Sequence, residues 1–326
     1  MTGTFAISLD FELMWGVRDH ASKADYGAHV LGEREAVPAM LDLFERSDIH
    51  ATWATVGFLL CEGRDELLAR APEERPSYAN ARLSNYSYID ETGGSEREDP
   101  YYFAPSMARQ IISCPHQELS THTWSHYYCL EEGQTDDQFR ADLKTAVAQL
   151  RDWQVDCQSI VFPRNQYAQR HLRICAEEGL SVFRGTEESW MYRSGNGESQ
   201  SLLRRAARLA DTYVPLSGDN APSSLTDGPI IDIPSSRFLR PFNRRLKRAD
   251  GLRLARIVNA MRHAAATGGV FHLWWHPHNF GANTAENIAF LKRVIQAYHM
   301  LADQFGMTSA NMAEIAACPP ARAQLH

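Results

Sequence analysis

The sequence predicts an α/β protein built on a parallel sheet, with its chemistry gathered at one end of the strands in the manner of a (β/α) barrel. Three observations carry that expectation. The chain opens strand, helix, strand. Apolar strand segments and amphipathic helices then alternate to the far end, the pattern of right-handed crossovers onto a parallel sheet. Finally, Asp10, Glu12, His122, His126, Arg164 and His276 each stand where an apolar run stops, just past the carboxyl end of a strand segment.

Taken in order, Phe5 to Leu9 is a short apolar strand that ends in Asp10-Phe11-Glu12. Glu33 to Ser47 has apolar residues at helical spacing, and His50 to Leu60 is β-branched and aromatic, with a turn at Gly57. Residues 71–103 break the pattern: they are polar, aromatic and turn-rich, and read either as a surface insertion or as a lid over a substrate. Helices are expected over Ala104–Ser113, Asp136–Trp153, Ala168–Glu178, Ser199–Ala210, Asp250–Ala266 and Thr284–Phe305. Strands are expected at Glu118–Thr121, Ser159–Phe162, Ser181–Arg184, Pro229–Ile233 and Val270–Trp275. The segment 195–198 reads as a turn. The chain is expected to form a single domain over 1–326, with 71–103 inserted beside the active site.

Composition narrows the function. With 326 residues, 22% of them charged, and a net charge of −7, the chain is an ordinary globular protein. An acidic balance offers no bulk attraction to a phosphate backbone, so no nucleic-acid partner is expected. The most apolar stretches are too short to span a bilayer. The opening MTGTFAISLDFE has neither the basic lead nor the apolar core of a secretory signal. The six cysteines are scattered without a CxxC pair and read as reduced thiols, which places the protein in the cytoplasm as an expectation.

His122-Thr123-Trp124-Ser125-His126 is the strongest local signal. Two imidazoles four residues apart face the same way on one helical turn and can grip one metal ion, although an HxxxH alone is common. Asp10 and Glu12, two apart at a strand end, point to the same side. One of them completes a His, His, carboxylate set and the other stays available as a base, which leaves a coordination position open for water. His276-Pro277-His278 supplies a histidine suited to acid chemistry near neutral pH. Arg164, emerging at the same face, is expected to pair with the carboxylate base and hold it ionised.

Together these residues resemble the polysaccharide deacetylase family, the NodB-homology carbohydrate esterases, over roughly residues 4–305. Five ordered motifs carry the resemblance: Phe5 to Glu12, Glu118 to His126, Arg164-Asn165-Gln166-Tyr167, Phe183 to Trp190, and Leu273-Trp274-Trp275-His276. The fold it implies is a distorted barrel of about seven parallel strands. It makes His122 and His126 metal ligands with Thr123 bracing their loop, Asp10 the general base, and Arg164 the residue that orients it. The Tyr167 backbone N–H would help bind the oxyanion, Trp190 would wall the acyl pocket, and His276 would be the general acid, with His278 as a second candidate.

The chain departs from the pattern in three motifs. Phe11 stands where the family has its ligand aspartate, so Glu12 becomes the third ligand. Gln166 replaces a proline. Ser189 replaces the aspartate that supports the acid, a role for which Glu188 or Asp232 are the substitutes.

The implied activity is hydrolysis of an N-acyl group, N-acetyl above all, from a sugar or sugar conjugate with a divalent metal, zinc first. A cytoplasmic enzyme would act on an N-acetylated sugar on a nucleotide or lipid carrier, made for a surface glycan. Two other readings fit the altered motifs: a hydrolase of cyclic amides and ureides such as allantoin, and a degenerate relative that binds a glycan without turning it over. Tyr86, Tyr88, Tyr101 and Tyr102 can stack on sugar rings. Arg204, Arg205 and Arg208 read as a solvated helix face, and Arg240, Arg244, Arg245, Lys247 and Arg248 as a basic segment that can meet a substrate phosphate.

Overall fold

The computed structural model describes residues 2–187, 189–192, 202–222, 225 and 228–318. Its centre is β1 (Thr4–Phe11), buried along almost its whole length. The other strands are β2 (Ala51–Thr55), β3 (Gln117–Thr121), β4 (Ser159–Ile160), β5 (Val182–Phe183), β6 (Ile231–Asp232), β7 (Arg237–Phe238), β8 (Val270–Trp275) and β9 (Thr308–Ser309). They run β6-β5-β4-β3-β2-β1-β8-β7, every neighbouring pair parallel.

The sheet curls into an open barrel of eight strands, against the seven or so expected. The additional strand is β7, which follows β6 after only Ile233-Pro234-Ser235-Ser236 and carries no apolar run of its own that would predict it. The ninth strand fills a gap. β2 pairs β1 only from Ile7 onward, and β9 takes the place beside Thr4 and Phe5.

The helices are α1 (Lys23–Arg46), α2 (Arg64–Arg70), α3 (Pro105–Ser113), α4 (Asp136–Asp152), α5 (Gln169–Glu177), α6 (Leu202–Asp211), α7 (Asp250–Thr267), α8 (His278–Gly281), α9 (Thr284–Phe305) and α10 (Met312–Ala317). Most fall where hydrophobic spacing put them. α1 begins ten residues before the expected start, because Ser22 accepts the Asp25 N–H and caps an earlier turn. α4 starts in a reciprocal capping box between Thr135 and Gln138. α7 stops at Gly268, whose φ of 74° suits a residue without a Cβ. Large apolar side chains such as Phe5, Phe11, Phe44, Trp53 and Trp275 fill the space between sheet and helices.

Residues 71–103 contain helical turns at Ala81–Leu83 and Asn85–Glu91 and pack closely. Asn85 is buried and donates to the carbonyls of Trp15 (3.2 Å) and Ser125 (2.8 Å), while accepting from Arg18. The Tyr78 hydroxyl accepts the N–H of Tyr128 at 2.7 Å. The segment is thus tied into the loop that carries the two histidines of the HxxxH.

Candidate metal centre and active site

The sheet's carboxyl end opens into a cavity of about 790 Å³ lined by Asp10, Glu12, His122, His126, His276 and His278 among others. β1 brings the two carboxylates. Glu12 Oε2 lies 3.0 Å from His126 Nε2 and 3.5 Å from His122 Nε2. Glu12 Oε1 lies 3.5 Å from His276 Nε2 and 4.0 Å from His278 Nδ1. Glu12, His122 and His126 are all buried, and a donor atom from each lies within 4.8 Å of the others.

The chemistry of this donor set fits a cation. His122 Nδ1 sits 2.8 Å from the Val161 carbonyl, which can only accept, so Nδ1 carries the proton. In a neutral ring Nε2 then presents a lone pair toward a carboxylate oxygen, two acceptors face to face. A cation between them would turn that repulsion into coordination, and two imidazoles plus a carboxylate are a donor set for a divalent ion.

The histidine loop is not the helical turn the spacing suggested. Thr123 and His126 have φ of 66° and 59°, left-handed values that side chains rarely adopt. Side chains hold them there. Asp142 of α4 accepts the N–H groups of Trp124 (2.7 Å) and Ser125 (3.1 Å) and the Ser125 hydroxyl. Thr123 Oγ1 accepts the Tyr127 N–H at 2.7 Å, and Thr121 Oγ1 accepts that of Thr123 at 3.0 Å. Asp142 was not singled out from the sequence, where it is one acid on an amphipathic helix.

Asp10 is paired, though not with Arg164. Arg184 Nη1 and Nη2 donate to its two oxygens at 2.6 and 2.8 Å. Arg184 is 1% exposed, also donates to Ser8 Oγ and Asn165 Oδ1, and lies 4.2 Å from the Trp274 ring centre. Arg164 follows β4 and lines the cavity as expected, but its backbone is left-handed (φ 54°) and its side chain pairs with Asp19 and Glu131 and lies over Tyr128. The expected Arg164–Asp10 pair is therefore replaced by Arg184–Asp10, from the next strand along. Burial raises the Asp10 pKa, but the Arg184 charge and hydrogen bonds, with His122 and His276 nearby, take it below the usual aspartate value. Burial likewise raises Glu12, and the surrounding imidazoles, His276 first, bring it well below the usual range.

His276 follows β8. Its Nε2 is 3.8 Å from Asp10 Oδ2, and with a quarter of its side chain exposed it is the open imidazole of the group. His278 stacks on it with ring centres 4.9 Å apart. Burial, with the neighbouring His276, pushes His278 down to about 3, so it is held neutral. His272, inside β8, contacts Ser8 Oγ at 2.9 Å and joins the Arg184 network; burial drives it to about 3 as well.

The remaining expected contacts divide. Tyr167 packs its ring on Phe162 and Phe183 and lies outside the cavity lining, and Trp190 is 52% exposed and outside it too. Tyr192 lines the cavity in its stead. Asp232 is engaged by the Gly185 backbone, with no His276 contact among the described residues, and Glu188 lies outside those residues. Arg205 and Arg208, expected on a solvated face, line the cavity, whereas from the basic 240–248 segment only Arg240 reaches it.

No protein-family model and no curated protein matches the chain. Solved structures do. A protein assigned to the polysaccharide deacetylases from Mycobacterium smegmatis aligns over 100% of this chain and 95% of its own, at 15% identity and a TM-score of 0.56. A polysaccharide deacetylase assignment from Pseudomonas aeruginosa PAO1 aligns over 96% and 89%, at 13% identity and 0.55. Puue allantoinase aligns over 98% and 91%, at 13% identity and 0.57. Identities this low carry the architecture and nothing finer: by its tertiary structure, the chain has the NodB-like polysaccharide deacetylase fold.

Proposed function

We propose that this protein is a metal-dependent hydrolase that removes an N-acyl group, acetyl in the simplest case, from a sugar or sugar conjugate. One observation carries the reading: Glu12 Oε2 faces Nε2 of both His122 and His126, beside an Asp10 held by Arg184. Glu12, His122 and His126 would hold the divalent cation, which when bound supplies Lewis acidity to the acyl carbonyl and to water. Asp10 accepts the proton of the attacking water. Arg184 keeps that carboxylate ionised and fixed in plane. His276 gives a proton to the amine as the C–N bond breaks and the new C–O bond completes the acid product. His278 walls the site behind His276. Residues 1–326 act in this reading as one catalytic unit, with 71–103 as a brace under the metal loop.

The test is metal analysis of purified protein together with deacylation of a panel of N-acetylated sugars by the wild type and by His122→Ala. Metal-free protein whose turnover is indifferent to the substitution would refute the proposal. The likeness to an allantoinase structure favours a second reading, hydrolysis of a cyclic amide or ureide. Turnover of allantoin or related ureides with no action on N-acetyl sugars would select it.

A further inference from the structure

One wall of the cavity is cationic, and the reaction above gives it no task. Arg237 on β7 lines the cavity and is 4% exposed. Its Nη1 donates to the Asp211 carboxylate (3.0 Å) and carbonyl (3.2 Å), but Nε and Nη2 are buried with no hydrogen-bond partner among the described residues. A buried guanidinium with unmet donors is costly unless a ligand meets them. Arg205 and Arg208 of α6, and Arg240 just past β7, line the same cavity.

These charges crowd each other. Burial, and then Arg204, Arg240 and Arg205, lower the Arg208 pKa. Asp211 is occupied by Arg237, Tyr192 and Ser217, and burial pushes Glu187 up to about 7.

We infer that this wall is an anion subsite and that the substrate is an N-acylated sugar bearing a phosphate or pyrophosphate ester. The acyl group lies toward Asp10 and Glu12, and the phosphoryl oxygens lie on Arg237, Arg205 and Arg240. The sugar end of this assignment rests on the hydrolase reading; the anion end does not. Guanidinium forks match phosphoryl oxygens in geometry and charge. A sugar carboxylate has two oxygens and one charge and occupies one fork, whereas a pyrophosphate can engage several.

Titration calorimetry of the purified full-length protein with inorganic pyrophosphate and with a nucleoside diphosphate tests this directly. The expected result is saturable binding that weakens with salt, and a Kd raised about tenfold or more by R205E and by R240E. R262E, on the exposed side of α7 and outside the cavity lining, serves as the charge-matched control, with circular dichroism to show that each variant is folded. Absence of saturable binding overturns the inference. So does a Kd indifferent to R205E and R240E, which would place the ligand on the metal alone, and so does tighter binding of glucuronate than of pyrophosphate. Intact, arginine-dependent pyrophosphate binding in a protein that deacylates no N-acyl sugar would refute the hydrolase reading and leave the anion subsite standing.

Discussion

Arg184 and Asp10, 174 residues apart in the chain, meet as a buried two-pronged ion pair at 2.6 and 2.8 Å. Neither is stable there without the other, because each would be a lone charge in a dry interior. Arg184→Gln is expected to destabilise the fold by about 3–5 kcal/mol, read by urea unfolding, and to abolish turnover. A variant as stable and active as the wild type would show that the pair does not position the base.

Gly16 guards the Glu12 carboxylate. A Cβ at this position would fall inside the space that the carboxylate occupies. Gly16→Ala is therefore expected to push Glu12 out of the ligand set and to lower metal content while leaving His122 and His126 in place. Metal analysis checks this; full occupancy in the variant would argue that Glu12 is not a ligand.

A cation bound only by the folded chain stabilises it by mass action. Dialysis against a chelator is expected to lower the unfolding midpoint, and zinc to restore it. In His126→Ala the midpoint should no longer respond to either treatment. Calorimetric scans of both proteins give the comparison.

Glu33 on α1 is fully buried, and both its oxygens lack a hydrogen-bond partner among the described residues. Burial, with Glu12 nearby, raises its pKa well above the usual glutamate value, and Arg34 only partly opposes this. A carboxyl raised on folding contributes fully below its unfolded pKa and loses that contribution as pH rises through the folded one. Wild-type stability should thus fall with rising pH across that window, and Glu33→Gln should remove that part of the slope. Urea unfolding of both proteins at pH 5 and pH 8 measures it, and parallel pH profiles would refute it.

Asn85 ties the 71–103 segment to the metal loop through Ser125 and to the start of the chain through Trp15. Asn85→Ala is expected to cost about 1–3 kcal/mol, since buried partners are left unmet. It should also open the segment to limited proteolysis. A segment cleaved equally fast in the wild type would mark it as a loosely held insertion.

The repeating plan of strands and helices, and the identity of the reactive groups, can be read from the sequence alone. Apolar runs and helical spacing fix β1, β2, β8 and the long helices, because burial of one face is a local property of the pattern. The parallel strands then carry Asp10, Glu12, His122, His126 and His276 to one end, and all of them were legible as strand-end residues. Tertiary structure decided which partner each residue meets. The choice of Arg184 over Arg164 depends on left-handed backbone at the end of β4, which sequence spacing does not encode. Asp142 and His272 look like ordinary helix and strand residues until packing delivers them to the histidine loop and the Arg184 network. The arginines of α6 become a cavity wall only once that helix is placed beside β7. Long-range electrostatic pairing is a property of where elements dock, and no window of local sequence contains it.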